Sequence, residues 1–295
     1  MLVGREQELR VLNDSFRKMQ EGKGSVLFIT GEAGLGKTTL IHEWWARLSP
    51  SALYAEAACS IPIGNTNVGK IEALQPWADV IAQLQSYDHE TKKGLDIKRL
   101  LHDAAPSWAW AIPIVGDLAH AAVETTRLIH EQRSGMNANA NSQQQVFQQY
   151  VNFITKVSEK TPLVFLLDDM HWADASSTNL LFYLSRQIVS MNVLVIATYR
   201  PDDAIAGEHP VITIKNEILR YDAGKELALG YLGGDEIREL LTATFPEYHV
   251  NDAFEQWLQK ISDGNVLFAT QFIKTLHEDG HLNEQGTFVG EYENI

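Results

Sequence analysis

Residues Gly31, Glu32, Ala33, Gly34, Leu35, Gly36, Lys37 and Thr38 fit the spacing G-x-x-x-x-G-K-[ST]. Each fixed position has a chemical reason. Glycines let the main chain curl until several N–H groups face one anion, and the start of a helix adds partial positive charge there. Lys37 is placed to reach the β- and γ-phosphates of a nucleotide. The Thr38 hydroxyl suits magnesium, which prefers oxygen ligands and keeps several waters. The pattern predicts ATP or ADP with Mg2+, bound by these residues and the adjoining Thr39.

A metal held on one side by a hydroxyl needs a carboxylate on the other, and a water attacking a phosphoryl group must be oriented. The run LVFLLDDMHWAD, residues 163–174, offers groups for both tasks. Asp168 is expected to hold the magnesium through water, and Asp169 to polarise the attacking water. Asp174 precedes a helical pattern and reads as its N-cap, while His171 and Trp172 read as packing near the site rather than reacting. Arg200 follows the apolar run VLVIAT at residues 193–198, at the carboxyl end of a strand, where open α/β sheets bind ligands. It reads as a sensor of the γ-phosphate, with an ordinary surface ion pair as the alternative. Lys37, Asp169 and Arg200 are thus the catalytic candidates, and Thr38 and Asp168 the metal candidates. A second stretch, GNTNVGK at residues 64–70, also fits G-x-x-x-x-G-K, but Ile71 stands where the hydroxyl belongs and Pro62 interrupts the preceding run. It reads as a loop. Spacings that would mark a zinc site or a serine nucleophile elbow do not occur.

Such side chains work only when strands and helices hold them. Residues 25–30 (SVLFIT), 163–167 and 193–198 are short apolar runs of the kind buried on both faces of a parallel sheet, and 52–59 reads as another strand. Leu9, Leu12, Phe16 and Met19 recur at helical spacing before the first strand. After the glycine loop, Leu40, Ile41, Trp44, Trp45 and Leu48 share one helical face until Pro50. Residues 60–161 form a helical insertion with candidate helices near 71–86, 95–105, 117–133 and 142–159. Strands alternating with helices indicate an α/β fold with a parallel sheet. Beyond residue 230 the pattern turns helical, near 234–244, 252–262 and 266–279, and HLNEQGTFVG at 281–290 suggests a small hairpin. The expected division is a core over 1–229 and a helical subdomain over 230–295.

Composition narrows the partners. A formal charge of −14 repels DNA, RNA and anionic lipid, and Lys92, Lys93, Lys98 and Arg99 read as a solvated helical face, so no direct nucleic-acid or membrane partner is expected. Cys59 stands alone, which excludes an internal disulfide and fits a reducing compartment. The opening MLVGREQELR carries charge where an export signal needs apolar residues, and the apolar stretch 108–123 is too short and too interrupted to span a bilayer. A cytoplasmic location is the expectation.

LVGREQEL, GEAGLGKTTL, LLDDMHWAD, ATYRPDD and SDGNVLFATQFI occur in an order that resembles the ATPase domain of the STAND class, within the AAA+-related P-loop ATPases. Such domains occur in large bacterial LuxR-type transcriptional regulators and cyclase-associated signalling proteins. The resemblance spans roughly residues 2–280. It implies a P-loop NTPase fold: a five-stranded parallel sheet in the order 5-1-4-3-2, flanked by helices, with a helical lid closing over the nucleotide. It implies that Val3, Gly4 and Arg5 lie beside the adenine, and that Gly264 and Asn265 open the family's G-N-P-L element in the lid. Val266 stands in place of the usual proline there, so the lid helix is expected to start differently. In the family, ADP favours a closed monomer and ATP favours assembly, which implies a slow ATPase acting as a regulatory switch with nucleotide-dependent self-association. Protein partners or further sensor domains are implied. The chain stops at Ile295, which leaves an excised module and a short relative both open. A DNA-remodelling or origin-type AAA+ ATPase is a second reading, disfavoured by the charge, and a non-hydrolysing nucleotide-stabilised scaffold is a third. Arg220 and Arg238 are possible arginine fingers that read better as surface residues.

Overall fold

Side-chain alternation along each strand dictates a sheet that must be covered on both sides. In β1 (Ser25–Thr30), Val26 and Phe28 point to one face and Leu27 and Ile29 to the other, and all four are buried. β3 (Leu163–Asp168) repeats this with Phe165 and Leu167 against Val164 and Leu166. β4 (Val193–Tyr199) does so with Val193 and Val195 against Leu194 and Ile196. Strands apolar on both faces are stable only between two helical layers. One layer is α1 (Glu6–Gln20) and α2 (Lys37–Arg47), which bring Leu12, Phe16, Leu40, Ile41 and Trp44 to the sheet. The opposite layer comprises α3 (Gln75–Glu90), α4 (Ile97–Ala104), α5 (Ala140–Ser158), α6 (Ala175–Ile188), the short α7 (Pro201–Ala206) and α8 (Val211–Arg220).

The computed structural model describes residues 2–48, 52–59, 73–90, 96–104, 140–249, 251–283 and 285–289. The second glycine-lysine stretch at 64–70, the apolar run 108–123, the helix expected over 117–133, and Lys92 and Lys93 lie outside them.

With β2 (Leu53–Ala58) and β5 (Gly224–Ala228), the strands form one sheet in the order β2-β3-β4-β1-β5, every neighbouring pair parallel. This is the expected order 5-1-4-3-2 read from the other edge. β5 carries no apolar run: its GKELA is an edge strand with Lys225 and Glu226 exposed, and pairing to β1 rather than hydropathy makes it a strand. The consequence for function is positional. The loop after β1 and the carboxyl ends of β3 and β4 all emerge at the same end of the sheet.

The last three helices, α9 (Gly234–Thr244), α10 (Asp252–Ser262) and α11 (Val266–Glu278), pack around an apolar cluster of their own that includes Ile237, Leu241, Phe254, Leu258 and Ile273. Val3, far away in sequence, is buried in the same cluster. Beyond α11, Leu282 and Phe288 form an antiparallel bridge where the hairpin is expected. Among the described residues, no helix is long and apolar enough to cross a membrane.

Candidate functional site

The glycine loop has the backbone its composition demands. Gly31, Gly34 and Gly36 take φ of 148°, 80° and 83°, values that favour glycine. Gly36 caps α2, so the unpaired N–H groups of that helix's first turn open at the carboxyl end of β1. Lys37 is buried, and its Nζ donates to the carbonyls of Gly31 (2.7 Å) and Glu32 (2.9 Å). An ammonium has three protons, so one remains to meet an anion. Burial pushes its pKa down, and the carboxylates of Asp169 and Asp168 push it back up.

Asp168 ends β3 between two hydroxyls. Thr38 Oγ1 donates to its Oδ2 at 2.8 Å, and Thr198 Oγ1, from β4, donates to its Oδ1. The Thr198 hydroxyl also accepts the N–H of Asp169 at 2.9 Å. The donors are all oxygen and lie beside a phosphate-type loop, a set that fits magnesium. Among the described residues, no cluster of three or more His, Cys, Asp or Glu suits a metal. Magnesium does not require one, because phosphate oxygens and water complete its shell. Cys59 closes the site from behind, its N–H donating to the Asp168 carbonyl at 2.9 Å, and burial pushes its thiol up to about 12.

Asp169 has φ 54° and ψ 46°, the left-handed region, at the start of a 3-10 turn over Met170–Trp172. For a non-glycine residue this conformation persists only where surroundings enforce it, and such residues gather at functional sites. The Arg200 guanidinium lies between two carboxylates, Nη1 donating to Asp203 at 3.4 Å and Nη2 standing 3.9 Å from Asp169. Asp174 accepts the Ser177 N–H at 2.9 Å as the cap of α6. His171 is buried, its ring 5.0 Å from that of the half-exposed Trp172. Arg220 bonds Glu217 and Tyr221 on one surface, and Arg238 binds Asp252 and Glu255 inside the helical subdomain.

On the other side of the loop lies a mainly apolar cavity of about 390 Å3, walled by Leu2, Val3, Leu232, Leu240, Val266, Leu267 and Thr270 and floored by Gly34, Leu35, Gly36 and Thr39. Arg5 lines it, but its guanidinium serves main-chain carbonyls, Gly230 at 2.9 Å and Leu35 at 3.4 Å, and pairs with Glu8. The Gly4 N–H donates to Glu239 of α9 at 3.0 Å. The start of α11 is joined to the loop itself. Asn265 caps that helix, accepting from the Leu267 and Phe268 N–H groups; its Nδ2 donates to the Ala33 carbonyl at 2.8 Å, and the Leu267 N–H also donates to the Gly34 carbonyl at 3.1 Å. Helix α11 therefore begins at Val266 without a proline, with Asn265 organising the turn. A Cβ on Gly34 would come within 2.6 Å of Asn265 Oδ1, so glycine is required there by close approach as well as by φ.

The structure thus brings Lys37, Thr38, Asp168, Asp169 and Arg200 together at one end of the sheet, and Val3, Arg5 and Thr39 around the adjoining cavity. Sequence reading missed Thr198, whose signal was a hydroxyl at the end of an otherwise apolar strand. It also missed the cavity wall from α9 and α11, for which no local signal exists.

An uncharacterized protein, R02095, of Rhizobium meliloti (strain 1021) is 24% identical over 285 residues, covering 94% of this chain. The chain spans a quarter of that relative's length. Among solved structures, a Pyrococcus horikoshii signal transduction ATPase with numerous domains (STAND), which carries a tetratricopeptide repeat sensor, aligns over 100% of this chain and 31% of its own. The TM-score is 0.51 and the identity 15%, a likeness of fold. A Drosophila ORC structure bound to DNA aligns over 97% of this chain and 59% of its own, at TM-score 0.48 and 15% identity. The AAA ATPase domain family matches residues 1–196, two-thirds of the sequence, and the chain belongs to that family of nucleotide-binding ATPases.

Proposed function

We infer that this chain is a STAND-class switch domain that binds ATP with magnesium and hydrolyses it slowly. The observation that carries the reading is Asp168 clasped by Thr38 and Thr198 beside Lys37, at the carboxyl ends of adjacent strands. The loop N–H groups and Lys37 bind the β- and γ-phosphates. Thr38 and Asp168 hold magnesium, which neutralises phosphate charge when bound. Asp169, fixed by its N–H bond to Thr198, orients water and accepts its proton. Arg200 contacts the γ-phosphate and so distinguishes ATP from ADP. The apolar cavity between loop and lid takes the adenine, with Val3 and Arg5 on its edge and Gly4 between them tied by its N–H to Glu239.

The motif order from LVGREQEL to SDGNVLFATQFI supports the STAND assignment, and the lid bonds to Ala33 and Gly34 supply a path from nucleotide to lid. The switch reading expects the protein to change its sedimentation or elution between ADP and a non-hydrolysable ATP analogue, consistent with nucleotide-dependent self-association. Identical behaviour in both would sink it. Single-turnover hydrolysis of radiolabelled ATP separates it from a non-hydrolysing scaffold, which would return the label unchanged.

A further inference from the structure

The Arg200 guanidinium is shared by two carboxylates, and the one left out of the nucleotide machinery is Asp203. Asp203 lies in the first turn of α7, three residues after Arg200, and its carboxylate is partly exposed. Its Oδ2 accepts from Arg200 Nη1 at 3.4 Å and stands 3.5 Å from Nε2 of the buried His171. The His171 ring is oriented from its other side: Nδ1 accepts the Arg200 main-chain N–H at 3.4 Å, so Nε2 carries the proton and faces Asp203. Among the described residues, that Nε2 and the Nε of Arg200 are buried without a hydrogen-bond partner, so the carboxylate of Asp203 acts on the imidazole through charge rather than through a directed bond. Across the guanidinium, Nη2 is 3.9 Å from Asp169 Oδ2, close enough for attraction and too long for a hydrogen bond.

We propose that Asp203, aligned by His171, is a positioning residue that holds Arg200 back from Asp169. Were Asp203 gone, the carboxylate left beside the guanidinium would be Asp169, the base, and an arginine with one acid within reach closes to a short bidentate pair. Such a pair withdraws the charge that should meet the γ-phosphate and occupies the oxygens that should meet water. By splitting the guanidinium between two acids, Asp203 keeps both functions open. The proposal rests on the roles given to Arg200 and Asp169 above.

The test is a cycle of Asp203→Asn, Arg200→Ala and the double variant, read by single-turnover hydrolysis and by calorimetric affinity for Mg-ADP, with Asp203→Glu as the conservative control. Asp203→Asn is expected to slow turnover by roughly tenfold or more. ADP affinity and melting temperature should stay at wild-type values, and Asp203→Glu should recover most of the rate. In the Arg200→Ala background, Asp203→Asn should cost nothing further, because no guanidinium is left to restrain. Slowing that multiplies in the double variant, or an Asp203→Asn protein as fast as wild type, overturns the positioning role. A silent Arg200→Ala, by contrast, overturns the sensor role assigned to Arg200 and takes this inference with it.

Discussion

The two ends of the cleft are built on opposite principles. At the phosphate end, polar groups satisfy one another through directed bonds: Lys37 to the Gly31 and Glu32 carbonyls, Thr38 and Thr198 to Asp168, and the Asp169 N–H to Thr198. At the other end, a cavity is enclosed by Leu2, Leu232, Leu240 and Val266, which contribute shape and little direction. The first arrangement discriminates chemistry, because each bond has an angle and a charge. The second discriminates size, because apolar burial is non-directional.

Substitutions at the two ends should therefore fail in different ways. The largest effect is expected from Lys37→Ala, which removes the charge proposed to meet the phosphates and should abolish ATP binding in calorimetry. Retained affinity would break the comparison outright. Asp169→Asn should leave binding intact and lower single-turnover hydrolysis by on the order of a hundredfold, the usual contribution of a positioned base. At the cavity end, Thr270→Trp sits at an exposed position on the wall and fills space without disturbing the core. It should weaken ATP and ADP equally, by roughly tenfold, the scale of one misfitted hydrophobic group. If it weakened only ATP, the cavity would not be the base site.

Smaller effects test the joint between the ends. Asn265→Ala removes the cap of α11 and the bond to Ala33, and should lower stability in urea by about 1 kcal/mol. A pH effect should come from His171, whose pKa burial holds below its ordinary value near 6.5. The unfolded chain then takes up this proton at higher pH than the folded one, so the contribution is complete above about 6.5 and is lost as pH falls below it. Comparing urea midpoints at pH 8 and pH 6 in wild type and in His171→Gln should show a smaller drop in the variant.

The same contrast explains what could be read in advance. The phosphate end comes from contiguous residues: glycine positions and one lysine at fixed spacing, then two aspartates ending an apolar run. The parallel sheet was legible for a related reason, since β1, β3 and β4 are buried on both faces and appear as unbroken apolar strings. Edge strand β5 was not, because neither face of GKELA is buried and its pairing with β1 is a long-range event. The cavity was unreadable as a shape, since its walls lie at residues 2–5, 232–244 and 266–270 and meet only through the fold. Asp203 was missed because an acid in the first turn of a helix ordinarily serves that helix's dipole.

Asn265 and the Leu267 N–H grip the carbonyls of Ala33 and Gly34 directly, so the start of α11 cannot shift without disturbing the glycine loop. Helix α11 runs 13 residues from that grip, an arm of about 20 Å at the ordinary rise of an α-helix. A small tilt imposed at Ala33 or Gly34 is thereby enlarged at the helix's far tip, beside the Leu282–Phe288 bridge.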